Sequence, residues 1–355
     1  MKDLLVVCYV ALFYGPGPVG RRHKLQVTLF KILENSAQSP ERLRGFARRS
    51  AAVGALVWLL LLLPRTSDSH ETELIHKIVF FAMLVIVPLA LSLVTVAEPK
   101  ISAVLYRLAV LAQPVAAGIA IASFFVEKGP LSASLSAVWL VVSGIVALLG
   151  LSRFTARGLY PMPDSSIDAG LLYLPVAGGW LIVYRLGVQP FDYGETIILL
   201  TVVHFHFAGF AAPIIAGLTG KLLWTTSRRP GRLYTFTVFA IVAAMPLVAA
   251  GITFSPWLGL IGTLLISTGL VILAAFTIGR VLPAVPSLSS RMLLLIAALS
   301  SCTAMVLACL YAYSLTAQIL ILRIPTMAMT HGLLNAFGFV TCSLLAWSSI
   351  NAKNS

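Results

Sequence analysis

Two histidines, His204 and His206, stand two residues apart inside the apolar run LTVVHFHFAGFAAPIIAG, residues 200–217. A third, His331, precedes Asn335 by four residues in a second such run, MTHGLLNAFGF. Imidazole gives and takes protons near neutrality. In a segment long enough to cross a bilayer, such a group is expensive to bury and marks a functional site by default. General acid–base chemistry and polar ligand binding are therefore the chemistries to test. Residues two apart on a helix point about 200° apart. His204 and His206 thus cannot jointly hold one metal ion on a regular helix, and no metal site is expected. Glu195 lies eleven residues before His206 and shares its face with Val202 and Gly209, whereas Thr201 shares the face of His204. His206 is therefore expected to meet a cavity together with His331 and Asn335, and His204 to bond a neighbouring helix. The competing reading makes both histidines inter-helix hydrogen bonds. The candidate catalytic set is His206, His331, Glu195, His204 and Asn335. At about 1.5 Å per residue, all three histidines lie about 9 to 16 Å inside their spans.

These residues need elements to position them. The 355-residue chain is 59% hydrophobic and only 10% charged, with a mean hydropathy of +0.96. A soluble domain is about one quarter charged. The implied fold class is all-α, a polytopic transmembrane helical bundle of about ten spans. The expected spans are 47–63, 76–96, 101–125, 132–151, 168–186, 195–219, 234–254, 257–279, 291–314 and 325–347, the first being the weakest. Residues 1–14 are apolar but short of the roughly 20 needed to span, and are read as a short N-terminal helix. The expected organisation is residues 1–46 as that helix plus a basic amphipathic segment, 47–347 as the bundle, and 348–355 as a tail. Pro213, which crowds the carbonyl of Gly209, is expected to open the sixth span near the histidines.

The net charge of +13 comes from basic residues between apolar runs, which suits topology signals and anionic headgroups rather than nucleic acid. Eighteen loop or edge cations fall on one side of the ten-span arrangement and five on the other. The positive-inside rule then gives a multi-pass protein of the inner (plasma) membrane with a cytoplasmic C-terminus. The spans are expected to hold almost no Asp, Lys or Arg, the exception being Arg107 near a cytoplasmic end. His23, His70 and His76 are expected to be solvated, and Cys8, Cys302, Cys309 and Cys342 show no disulfide or metal spacing.

Arg185, Asp192, Trp180, Phe210 and Tyr311 are candidate substrate-binding residues. Arg185 reads either as an interfacial anchor or as a cation closing a cavity over Glu195 or Asp192. No GxxxxGK[ST], HExxH, CxxC or aspartate-rich diphosphate motif occurs. Haem held by His331 with His204 or His206 is conceivable, but no cofactor is expected.

The helices containing LTVVHFHFAGF and THGLLNAFGF, with YLPVAGGWLIVYRLGVQP, resemble the YndJ-like family of bacterial membrane proteins over roughly residues 165–345. The resemblance implies that Glu195, His204, His206, Gly209, His331, Gly332 and Asn335 occupy family motif positions. Val202 and Phe207 stand where the family pattern has Ala and Tyr, so no tyrosine hydroxyl is available at 207. Family members are often labelled as transporters, and the overall appearance also resembles membrane cyclases of bacterial meroterpenoid pathways.

Two functions are expected from these features. One is a metal-independent enzyme, a terpene or meroterpenoid cyclase or isomerase, acting by acid–base chemistry on a hydrophobic isoprenoid-like molecule taken from the bilayer. The other is a transporter with a midplane histidine site. A non-catalytic membrane protein is a third reading. Oligomeric state is not readable from the sequence.

Overall fold

The structure is a computed structural model that describes residues 40–63, 70–96, 100–226 and 231–353. The apolar N-terminal helix and basic segment expected before residue 40 lie outside the described residues. The chain divides into two compact units, Met1–Leu43 and Arg44–Ser355, and the second holds the helical bundle.

The fold is all-α. Helix α1 runs Pro40–Leu60. It is followed by α2 (Thr72–Leu91), α3 (Lys100–Phe125), α4 (Pro130–Arg157), α5 (Met162–Leu186) and α6 (Glu195–Thr225). Then come α7 (Arg232–Phe254), α8 (Pro256–Ala284), α9 (Leu288–Ala317) and α10 (Ile324–Ala352). Among the described residues, the nine helices α2–α10 are long and apolar enough to cross a membrane. The protein is thus a multi-pass membrane helical bundle. The first expected span, 47–63, corresponds to α1, which falls short because Arg42, Arg44, Arg48 and Arg49 occupy its first half. An arginine well inside a lipid-facing helix is costly, so charge density rather than length separates α1 from the rest.

Two helices form the interior. The apolar window of α2 is 83% buried and that of α6 is 67% buried, against 33–50% for the other seven. Helix α2 packs on α6 and α10, and α5 lies between α4 and α6. The second set of neighbours runs α7–α8–α9–α10. Small residues set the close crossings. A Cβ on Gly170 of α5 would fall 2.6 Å from the Phe210 carbonyl oxygen of α6. One on Gly178 would fall 2.9 Å from the Leu140 Cα of α4. These two glycines let α4, α5 and α6 approach closely, which holds the histidine-bearing stretch of α6 against α4.

The interior helices are not regular. π-Helical turns occur at Ala82–Ile86 in α2, Phe205–Ala211 in α6, Thr277–Val281 in α8, and Ala328–Gly332 and Leu334–Thr341 in α10. A π turn holds an extra residue in the ladder and is often found at functional sites. The widening in α6 begins just after His204 and ends before Pro213, where proline cannot donate to the ladder.

Candidate functional site

The two neighbouring histidines of α6 go to different partners. His206 is fully buried. Its Nδ1 lies 2.8 Å from the Val202 carbonyl oxygen, and the Trp139 indole N–H of α4 donates to its Nε2 at 3.2 Å. The two rings also stack, with centroids 5.8 Å apart. A carbonyl only accepts and an indole only donates, so Nδ1 carries the proton and both ring nitrogens are engaged. His206 thus ties α6 to α4 and does not meet His331.

His204 does. Its ring faces that of His331 at 6.4 Å between centroids and 28° between planes. Sequence alone assigns this place to His206. The correction has a physical basis: the face shared by Glu195 and His206 on a regular helix turns into the α4–α5 side of the bundle, where Trp139 waits, and leaves the opposite face to α10. His204 Nδ1 lies 2.7 Å from the Leu200 carbonyl oxygen. His331 Nδ1 lies 2.9 Å from the Ala304 carbonyl oxygen of α9. Both rings are therefore held as Nδ1–H tautomers, with Nε2 as the acceptor. Asn335 Nδ2 donates to the His331 carbonyl at 3.0 Å. It is nearly equidistant from both His331 ring nitrogens, at 3.4 and 3.3 Å. With Nδ1 donating to Ala304, Nε2 is the ring nitrogen that can accept from it. His204 is exposed and His331 and Asn335 are half-buried, so the pair opens to the flank of the bundle.

Glu195 is not part of this group. At the start of α6 it pairs with Lys128 of the α3–α4 loop at 2.6 Å. Lys128 also lies over the Tyr184 ring at 4.5 Å, and the Tyr184 hydroxyl meets His76 Nε2 at 2.7 Å. His76, expected to be solvated, is instead buried at 8% exposure, in edge contact with Phe124 and Tyr184. Its place one turn before Phe80 is the available signal. Arg185 is also buried. It donates to the carbonyls of Ser123 and Val126 at 2.7 and 2.6 Å and lies over Phe124. It satisfies the last carbonyls of α3, and neither snorkels nor covers Glu195 or Asp192. Asp192 is exposed in the loop before α6. Trp180 packs on Tyr193 at 6.0 Å. Phe210 is fully buried against Gly170, and Tyr311 is half-buried on α9.

The opposite end of the bundle holds a network that sequence reasoning misses. Arg153 Nε meets the fully buried Asp168 at 2.5 Å, and Arg157 meets its other oxygen at 2.7 Å. Asp164 pairs with Lys221 at 2.9 Å and with Arg153 at 3.3 Å. Lys221 also donates to Thr95 at 2.8 Å. In the sequence, Arg153, Arg157 and Lys221 read as topology charges only. Their pairing joins the ends of α2, α4, α5 and α6. Among the described residues, no group of three or more His, Cys, Asp or Glu side chains could hold a metal ion.

Comparison with known proteins agrees with this architecture. The uncharacterized membrane protein YndJ of Bacillus subtilis (strain 168) is 30% identical over 246 residues, covering 68% of this chain and 42% of that protein. The chain thus spans about two-fifths of the length of the curated relative it matches. No solved structure matches. The YndJ-like protein family matches residues 77–339, from the second turn of α2 through the His331–Asn335 segment of α10, and the chain belongs to that family.

Proposed function

We propose that this protein is an integral membrane enzyme of the inner (plasma) membrane that uses His204 and His331 as proton-transfer groups on a lipid-like isoprenoid. The reading rests on one observation: two imidazoles from different helices face each other, each with Nδ1–H tied to a carbonyl, so that Nε2 is the basic nitrogen of each ring, that of His331 lying 3.3 Å from the Asn335 amide. A fixed tautomer presents a defined base, and an imidazole that has taken a proton becomes the acid for the next step. That sequence suits an isomerisation in which one ring removes an allylic proton and a proton is returned at another carbon. It also suits cyclisation begun by opening an epoxide. Direct alkene protonation fits less well, because Glu195 is held by Lys128. A lipophilic substrate would reach the exposed edge of His204 from the bilayer. The test is turnover of isoprenoid alkenes and epoxides by reconstituted protein. His204→Ala and His331→Ala should each lower turnover at least about 100-fold, with the melting temperature unchanged in His204→Ala and, in His331→Ala, lowered by no more than the loss of one inter-helix hydrogen bond, about 1 kcal/mol. Full activity in both would remove the reading.

The π turns favour a second reading. Four of the nine candidate spans carry them, including both histidine helices. Broken membrane helices often line transport sites. Proteoliposomes with an entrapped pH dye would register proton flux if the histidines serve a transporter. The cation-rich end with Arg153 and Lys221 is proposed to be cytoplasmic, which cysteine labelling at positions 127 and 352 would check.

A further inference from the structure

Helix α1 lies on the flank of the bundle and runs antiparallel to α2. A Cβ on Gly54 would run into the Leu84 carbonyl of α2. Further along α1, the Trp58 indole N–H donates to the Lys77 carbonyl at 2.7 Å. Its ring meets Phe81 of α2 and Phe337 of α10, with centroids 4.8 and 5.7 Å away. At the other end of α1, Arg44 and Arg48 both act electrostatically on the Tyr106 hydroxyl of α3. That hydroxyl donates to the Leu91 carbonyl, in the last turn of α2, at 3.0 Å. The arginine half of α1 therefore lies toward the end of the bundle that holds Thr95 and Arg153. Its apolar half runs along α2 toward Lys77.

The outward face of α1 is ordered along its length. Arg49, Val53, Leu56 and Leu60 follow at helical spacing and form one stripe. All four are exposed, Leu60 at 70%. From Arg49 to Leu60 is about 16 Å, close to half of the roughly 30 Å hydrocarbon core. The stripe thus has a cationic head and an apolar tail one leaflet long. One turn before Arg49, Gly45 has open space where a Cβ would stand, which leaves room for a headgroup beside the arginines. Charge balance favours an anionic one. Arg153, Arg157 and Lys221, at the same end, are paired with Asp164 and Asp168. Among the described residues, no carboxylate pairs with Arg44, Arg48 or Arg49.

We propose that the outward face of α1 is a docking surface for an anionic phospholipid. Arg48 and Arg49 hold its phosphate beside Gly45, Arg44 adds its charge, and an acyl chain lies along Val53, Leu56 and Leu60. The surface is separate from the His204–His331 pair and does not require that pair to be catalytic. The full chain in detergent would be titrated with phosphatidylglycerol or phosphatidylcholine, and bound lipids counted by native mass spectrometry. Phosphatidylglycerol should bind at least about tenfold more tightly than phosphatidylcholine. The double variant Arg48→Gln with Arg49→Gln should remove at least about tenfold of its affinity. Arg232→Gln with Arg280→Gln removes the same charge from exposed sites on α7 and α8 and should change the affinity less than about twofold. Melting temperature checks that each variant folds. Should the first double variant unfold, Arg49→Gln alone, at an exposed position, should weaken binding about threefold. Equal affinity for the two lipids would overturn the proposal, because only the apolar stripe would then be at work. Equal losses in the two double variants would also overturn it, since net charge alone would account for binding. So would displacement of phosphatidylglycerol by an equal concentration of glycerol 3-phosphate, which would mark a site for a soluble phosphate.

Discussion

The Trp139 indole ends on His206 Nε2 at 3.2 Å, and this bond separates two histidines that are neighbours in the sequence. It engages the last free nitrogen of His206 and leaves His204 as the ring of the pair with an uncommitted Nε2. A stability effect and an activity effect should therefore divide cleanly between the two residues.

Trp139→Phe removes the donor and leaves His206 Nε2 buried and unpaired. The expected loss is about 1–3 kcal/mol of stability, read as a lower melting temperature in detergent. His204→Ala should leave that temperature within about 1 °C, since an exposed side chain contributes little to packing. The reverse pattern would mean that His204, not His206, holds the helices together.

Asp168→Asn leaves Arg153 and Arg157 facing a neutral amide in a buried site. Breaking one partner of a buried charge group costs about 3–5 kcal/mol. Arg153→Met should cost a similar amount. The double variant should cost clearly less than the sum, because it removes the uncompensated charge with its partner. A double-mutant cycle by denaturant unfolding in micelles measures the coupling, and additivity would show that the pair is not coupled.

Glu195→Gln breaks the pair with Lys128. Side chains 50% and 30% exposed make a screened surface pair worth at most about 1 kcal/mol. The expected change is small and vanishes at high salt. Turnover should persist, since Glu195 is engaged away from the histidine pair. A complete loss of activity in this variant would return Glu195 to the catalytic set.

Gly170→Ala places a methyl 2.6 Å from the Phe210 carbonyl. Backbone cannot move aside as a flexible side chain can, so α5 and α6 must separate. The expected cost is about 1–3 kcal/mol. Gly179→Ala, on the same helix with open space around it, should be neutral, and equal effects of the two would argue against the close crossing.

The fold is legible because the bilayer imposes long apolar helices, and the loops between them are short. Nine of the ten expected spans coincide with α2–α10, their ends differing by at most six residues. The first, 47–63, fails where Arg44, Arg48 and Arg49 outweigh the apolar residues beyond them. Within the site, the sequence carries the residue types and the depth of His204 and His331, but not which helix each faces. Facing depends on π turns and on glycine crossings such as Gly170 with Phe210, which are properties of neighbouring helices. The Arg153–Asp168 network is hidden for a related reason. A cation at a span end serves topology equally well whether or not a carboxylate from the next helix reaches it.

The π turns of α10 have a consequence for how this site is encoded. Each stands for one residue beyond what a regular helix of the same rise would hold. Deleting a single residue from the regular stretch between Cys342 and Trp347, where no widened turn absorbs the change, would rotate everything beyond it by about 100°. The remaining side chains would be unchanged in type, yet His331 and Trp347 would no longer keep their relative facing. The angular phase of α10 is therefore inherited as a residue count, and an insertion or deletion there would act as a frameshift in space.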